Sequence, residues 1–109
     1  MIDWDRFNEL RTDIGEEDFA EVAELFTEEM SEMLGNLARR PNTATADDFH
    51  FLRGSALNLG FIDLAKACLE RENTVKSGAL PEVASLLEVF EKSFAELQKA
   101  QPLLIKGAA

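Results

Sequence analysis

The stretch of residues 47–72 contains the only histidine of the chain, His50, and its only cysteine, Cys68. A neutral imidazole is a nucleophile near neutral pH, because the ordinary histidine pKa is about 6.5. Arg53 follows one helical turn later, and its planar guanidinium offers several donors suited to phosphate oxygens. These residue types at this spacing indicate a histidine that can accept a phosphoryl group.

A helix over residues 46–59 would point this histidine away from the protein core. At about 100° per residue, His50 lies roughly 150° from the centre of the apolar face. Gly54 at i+4 and Leu57 at i+7 share its outward side. Glycine inside a helix costs about 1 kcal/mol relative to alanine, so its place beside the imidazole favours access by a bulky group. Exposed apolar surface at Leu57 is typical of a docking site.

Other interpretations of His50 stay open at this point. The ordinary one is a surface histidine without a function. A second is a non-phosphorylated helical adaptor that only docks a partner domain, because a docking face alone explains Gly54 and Leu57. A third is half of a carboxylate-bundle metal site formed with Asp47, but such sites need a second histidine motif and inward-facing glutamates. We therefore expect no metal, and phosphorylation of His50 separates the carrier from the adaptor.

Composition narrows the class of protein. The net charge of the 109 residues is −10, which argues against binding to nucleic acid or anionic membranes, because both need a basic footprint. The chain has no apolar run of membrane-spanning length and no N-terminal signal segment. A single cysteine fits a reducing compartment. We expect a soluble, cytoplasmic protein with one domain over residues 1–109.

The spacing of apolar residues predicts five helices and no strand. The first is short, over about residues 3–10, with Asp3 as its N-cap. Four long helices follow at about residues 16–40, 46–60, 61–77 and 81–100, and a loose tail covers about 102–109. Thr45 and Asp48 form a capping pair for the third, Gly78 a C′ residue for the fourth, and Pro81 the first residue of the fifth.

The predicted architecture is all-α. Four long amphipathic helices with short connectors, over about residues 16–100, indicate an antiparallel four-helix bundle with the short N-terminal helix packed on one end. The apolar face of the third helix consists of Phe49, Leu52, Ala56 and Leu59. Cys68 lies on an apolar stripe of the fourth helix and is interpreted as a core residue. Glu72 shares that stripe and should reach its rim or a partner, since a buried charge is costly.

Residues 50–60, HFLRGSALNLG, resemble the signature H-x-L-K-G-S-S-x-x-L-G of histidine phosphotransfer (HPt) domains. The later Leu64, Cys68 and Glu72 continue that pattern, and residues 7–26 resemble the start of such domains, so the resemblance covers nearly the whole chain. The sequence departs from the signature at three positions. They are Arg53 in place of lysine, Ala56 in place of the second serine, and Arg71 where leucine is usual.

The resemblance implies a phosphocarrier of a two-component phosphorelay. His50 is then the phosphorylated residue, Arg53 stabilises the phosphoryl group and Gly54 keeps the approach clear. The expected partners are response-regulator receiver domains or a histidine kinase acting in trans, and a receiver would supply Mg²⁺ and an acidic pocket.

The chain itself is expected to need no cofactor and not to be an independent enzyme. It has no glycine-rich loop for a nucleotide and no paired carboxylates that converge on His50. A partner's acidic pocket is repelled by the net charge of −10, so contact should rest on apolar surface near His50. Leu57 shares the face of the histidine and Phe61 opens the next helix, and these two residues are the docking candidates.

Overall fold

The computed structural model describes residues 1–104, which form five α-helices and one 3₁₀ turn. The helices are α1 (Trp4–Ile14), α2 (Glu16–Arg39), α3 (Ala46–Asn58), α4 (Ile62–Lys76) and α5 (Ala84–Ala100), and the 3₁₀ turn is Pro41–Thr43. Over this part of the chain the only extended pairing is an isolated bridge between Ile2 and Phe61. The all-α prediction is therefore confirmed. No helix within residues 1–104 has the length and apolar character needed to cross a membrane.

The first helix is longer than the sequence predicted. It ends at Ile14 rather than near residue 10, because Leu10 and Ile14 continue its apolar stripe and pack against the core. Asp3 is the N-cap, as predicted, and its carboxylate accepts from the N–H of Arg6. Gly15, with a φ of 96°, ends the helix, and its N–H donates to the carbonyl of Arg11.

The start of α5 is also different from the prediction. The helix begins at Ala84, so the expectation that Pro81 is its first residue is wrong. The carboxylate of Glu82 accepts from the N–H and the hydroxyl of Ser85, and the Arg71 guanidinium donates to the carbonyl and the carboxylate of Glu82. The hydrogen bonds from Ser85 lower the pKa of Glu82, and the hydrogen bond from Arg71 lowers it by a smaller amount. Side-chain contacts thus fix the first turn of α5 three residues after the proline.

The first residues of the tail form a turn. In it the N–H of Leu104 donates to the carbonyl of Gln101, and Leu104 packs against the core, whereas Leu103 is exposed. One turn does not test the expectation of a loose tail over 102–109, which stays a prediction. Its remainder, 105–109, lies outside the described residues.

All five α-helices contribute to one apolar core. The four residues predicted as the inner face of α3 are all buried, as are Cys68 of α4 and Met30 of α2. The rings of Phe7 and Phe19 lie edge to face with their centroids 5.1 Å apart, and this contact joins α1 to α2. The helical periodicity in the sequence therefore predicted the buried side of α3 correctly, and this fixes which of its residues face solvent.

Helix α3 has defined ends. At its start Thr45 and Asp48 form the predicted capping box, in which each side chain accepts from the backbone N–H of the other residue. At its end Gly60 has a φ of 77°, and the N–H groups of Gly60 and Phe61 donate to the carbonyls of Leu57 and Ala56. This is a Schellman motif, and its left-handed position favours glycine. It turns the chain directly from α3 into α4.

The α3–α4 turn is covered by the N-terminal segment. The N–H of Asp3 donates to the carbonyl of Gly60 over 2.7 Å, and Arg6 Nη2 donates to Asn58 Oδ1 over 2.9 Å. A Cβ atom on Gly60 would overlap the carbonyl oxygen of Asp3. Glycine is thus required at this position for two reasons, which are the positive φ and the close approach of another backbone segment.

We expect Gly60→Ala to destabilise the protein more than Gly78→Ala. Gly78 ends α4 in the same left-handed conformation, with a φ of 87°, but nothing lies within 4 Å of a Cβ built there. Gly78→Ala should lower the free energy of unfolding by about 1–2 kcal/mol, the cost of a left-handed residue with a side chain. Gly60→Ala adds the overlap with Asp3. Urea denaturation measures both, and equal losses would show that the Asp3 backbone moves aside without cost.

Candidate functional site

His50 lies in the second turn of α3 and points into solvent, with 66% of its side chain exposed. The capping box fixes the first turn of the helix, and the buried Phe49 and Leu52 on either side of the histidine set the rotation of the helix about its axis. The outward orientation predicted from helical periodicity is confirmed.

Arg53 contacts the imidazole directly. Its Nη2 atom is 2.9 Å from His50 Nδ1. A guanidinium has only donors, so Nδ1 is the acceptor in this hydrogen bond. The other ring nitrogen, Nε2, makes no hydrogen bond or ion pair with the described residues. Arg53 therefore lies where it can reach a group attached to the imidazole.

Glu72 on α4 completes this cluster. The residue is only 5% exposed, and its Oε2 atom accepts from Lys76 Nζ over 3.0 Å. Its Oε1 atom lies 3.6 Å from Arg53 Nη2 and 3.7 Å from His50 Nδ1. The sequence placed Glu72 at the rim or on a partner, and the structure instead buries it beneath these basic side chains.

The surroundings of Glu72 keep it ionised. The hydrogen bond from Lys76 lowers the pKa of Glu72, and the charges of Lys76, Arg53 and His50 act in the same direction, against the effect of burial. The Oε1 atom is buried and has no hydrogen-bond partner among the described residues. A carboxylate oxygen with unused acceptor capacity therefore lies beneath the imidazole.

Gly54 and Leu57 lie on the same outward face as His50. Nothing is within 4 Å of a Cβ built on Gly54, so packing inside the protein does not require glycine there. Leu57 is 45% exposed. The structure therefore brings His50, Arg53, Gly54 and Leu57 together on one open side of α3, as the sequence predicted.

Phe61 does not belong to this face. Its side chain is fully buried, and the centroid of its ring lies 6.3 Å from the centroid of the Phe90 ring. Its backbone N–H donates to the carbonyl of Ala56 and it pairs with Ile2. The choice of Phe61 as a docking residue is therefore wrong, because the N-terminal segment and α5 cover the start of α4.

Two further exposed apolar residues were missed. Phe51 of α3 is 49% exposed and lines a groove with Glu29, Glu32, Met33 and Asn36 of α2. Leu69 of α4 is 40% exposed. Phe51 lies about 100° from His50 around α3 and outside the apolar face. Helical periodicity therefore already indicated that this aromatic side chain would be exposed.

Cys68 is a core residue, as predicted. Burial raises the pKa of its thiol to about 12, against the smaller effects of Arg71 and Arg53, so the thiol is neutral at physiological pH. Within residues 1–104, no group of three or more His, Cys, Asp or Glu side chains is arranged to hold a metal ion.

Comparison with known proteins identifies a family for most of the chain. The family described as "Hpt domain" matches residues 21–100. This segment contains most of α2 and all of α3, α4 and α5, and therefore every residue of the cluster around His50. No curated protein and no solved structure matches the chain at a significant level.

Proposed function

The chain belongs to the Hpt domain family, and from this membership we propose that it is a cytoplasmic phosphocarrier that accepts a phosphoryl group on His50. Proteins of this family transfer phosphoryl groups in two-component phosphorelays. The observation that carries the residue assignment is the exposed imidazole of His50, in contact with Arg53 and next to the open surface at Gly54.

The proposed reaction is transfer between an aspartate and His50. A ring nitrogen attacks the phosphorus of a receiver's aspartyl phosphate or of a phosphohistidine kinase, and the bond to the donor atom breaks. A second receiver aspartate then takes the group from His50. Arg53 supports the transfer, because charge-assisted donors stabilise the oxygens of the moving phosphoryl group. The Mg²⁺ ion and the acidic residues that hold it are expected on the receiver, and the carrier depends on its partners for catalysis.

The helix contacts support the bundle expected from the sequence. Helix α2 packs against α3 and α5, and α4 packs against α3 and α5. These contacts close a ring of four helices, and the short turn between α3 and α4 makes that pair antiparallel. Helix α1 contacts α2 and α3. These contacts are accounted for by an antiparallel four-helix bundle that has α1 against one end. The whole forms one domain.

A docking surface for a receiver is proposed around His50. Leu57 and Phe51 supply exposed apolar area on α3. Leu57 is the candidate expected from the sequence, and Phe51 replaces the buried Phe61 as the second. The protein carries a net charge of −10, which repels an acidic receiver at long range. Arg53 contacts the histidine, and the exposed Lys76 pairs with Glu72 beside it, so two cations offset part of this repulsion locally.

The alternative is a helical adaptor that docks a partner without phosphorylation. The exposed Leu57 and Phe51 would serve that function equally well. The contact between Arg53 and the imidazole favours the carrier, because a docking face alone does not require it.

We expect a phosphorylated receiver domain to label wild-type protein and not the variant His50→Gln. The chain has a single histidine, so a phosphohistidine, which is acid-labile and base-stable, can form only there. Circular dichroism should show unchanged helical content, because the side chain is exposed. Transfer of radioactive phosphate from the receiver provides the measurement. Undiminished labelling of the variant would exclude His50 as the acceptor, and absence of labelling from a full set of receivers and kinases would favour the adaptor.

We expect Gly54→Gln to block transfer without unfolding the protein, because a long side chain one turn beyond His50 covers the imidazole. Gly35→Gln is the matched control, since Gly35 is also inside a helix and only an arginine side chain, 3.8 Å away, approaches a Cβ built there. Both variants should gain up to about 1 kcal/mol of stability. Transfer rates and thermal unfolding separate the effects. Normal transfer in Gly54→Gln would show that the glycine is not needed for access.

We expect Leu57→Ala to weaken binding of an unphosphorylated receiver by about 1–3 kcal/mol, the range for losing a buried aliphatic contact. Leu80→Ala is the control, because Leu80 is 68% exposed and lies in the connection between α4 and α5. Titrations at two salt concentrations should show little loss of affinity with salt, since apolar burial dominates. A steep loss with salt together with normal binding by Leu57→Ala would mean that the interface is electrostatic.

A further inference from the structure

An apolar groove between α2 and α3 lies next to His50. It is lined by Phe51 of α3 and by residues from three successive turns of α2, which are Glu29, Glu32, Met33 and Asn36. The ring of Phe51 is half-exposed, whereas Met33 packs against the core. At the end of the groove nearest the C-terminus of α2, Asn36 Oδ1 accepts from Arg39. The groove therefore offers an apolar centre that a partner's side chain can cover.

Carboxylates border this apolar centre. Glu29 and Glu32 are exposed and lie one turn apart on α2, and Asp47 is exposed one turn before Phe51 on α3. None of the three carboxylates forms an ion pair with another residue of the described part of the chain. Their charge is therefore available to cations that a partner brings.

The partner that covers the groove is the partner that reaches the histidine. Phe51 directly follows His50 and lies about 100° further around α3, so a protein that contacts the imidazole also borders the groove. A second copy of this chain is a poor occupant, because both copies carry a net charge of −10 and like charges placed opposite each other are repelled. The inference that follows rests on the proposed function, in which the partner is a receiver.

We propose that Glu29 and Glu32 select the receiver by its charge. The receiver that exchanges phosphoryl groups with His50 carries, beside its acidic pocket, an apolar side chain bordered by lysine or arginine. The apolar side chain covers Phe51 and Met33, and the cations pair with the carboxylates of the groove. A receiver with acidic residues at this place is rejected, because docking would bring like charges together.

The two sides of the histidine then recognise opposite charges. On the side of α4, Arg53 contacts the imidazole and lies 3.6 Å from Glu72 Oε1, so its cation faces the acidic pocket of the receiver. On the side of α2, Glu29 and Glu32 face the cations of the receiver. A receiver docked in the reverse orientation would oppose like charges on both sides. The pattern therefore fixes the orientation of the partner as well as its identity.

Two matched charge reversals test this selection. Glu29→Lys combined with Glu32→Lys reverses the charge of the groove. Glu88→Lys combined with Glu91→Lys is the control, because these exposed residues have the same spacing on α5, which packs against α2 and α4. Both double variants change the net charge of −10 by the same amount. Lysine is a good helix former, so circular dichroism should show wild-type helical content for both.

The probe is the unphosphorylated form of the receiver domain that labels His50 fastest. At low salt the groove variant should bind it about tenfold more weakly than wild type, because two exposed ion pairs are replaced by like charges. Added salt should restore part of this affinity. The control variant should bind at least as tightly as wild type and lose affinity with salt. In the wild type, local attraction and long-range repulsion oppose each other, so salt should change the affinity little.

A double-mutant cycle identifies the cation on the receiver. The exposed lysines and arginines of the receiver are replaced by glutamate one at a time. At least one replacement should weaken binding to wild type and strengthen binding to the groove variant, because it restores a pair of opposite charges. The same replacement should act equally on wild type and on the α5 control.

Failure of the selection and failure of the proposed function give different results. Equal affinities of the two double variants at every salt concentration, or a loss in the control alone, overturn the selection by the groove. His50 and Arg53 are unchanged in both variants, so the transfer rate at saturating receiver should equal that of wild type, and the phosphocarrier function then stands. Absence of labelling from every receiver overturns the function, and the assignment of this partner with it.

Discussion

The burial of one carboxylate, that of Glu72, is the constraint on which the geometry of the site depends. An ionised group away from water is costly unless opposite charges and donors compensate it. Lys76 on the same helix and Arg53 on the neighbouring helix provide this compensation. Because the cations come from two helices, the compensated charge requires one register of α3 against α4. That register places the imidazole of His50 directly above the carboxylate.

The other end of the same helix pair is fixed by backbone contacts rather than by charge. The turn at Gly60 is closed by a Schellman motif and covered by the backbone of Asp3. Helix α1 lies outside the segment that matches the family, yet it contributes to this turn through the hydrogen bond from Arg6 to Asn58 of α3. Two independent restraints, the ion pairs of Glu72 and the hydrogen bonds of the Gly60 turn, therefore hold the helix pair.

Local chemistry made much of this structure predictable from the sequence. The capping pair of Thr45 and Asp48 depends only on residues three positions apart, and the outward direction of His50 follows from helical periodicity. The errors arise where contacts between distant segments decide the outcome. Phe61 is covered by the N-terminal segment, and the contacts of Glu82 with Arg71 override the preference of Pro81 for a helix start. Predicting that Glu72 lies under His50 would have required the register of α4 against α3. The periodicity of residues within one helix contains no information on that register.

The unpaired oxygen of Glu72 also has an energetic meaning for the protein as a whole. Sequences that fold well avoid conflicts between local contacts, and the conflicts that persist mark places where the folded state is not at its local optimum. Here a guanidinium lies 3.6 Å from the oxygen and donates to the imidazole instead. The site is therefore locally frustrated at one buried acceptor, although the charge of the carboxylate is compensated. A rearrangement that gives this oxygen a donor would satisfy that acceptor at the expense of the contacts that it breaks.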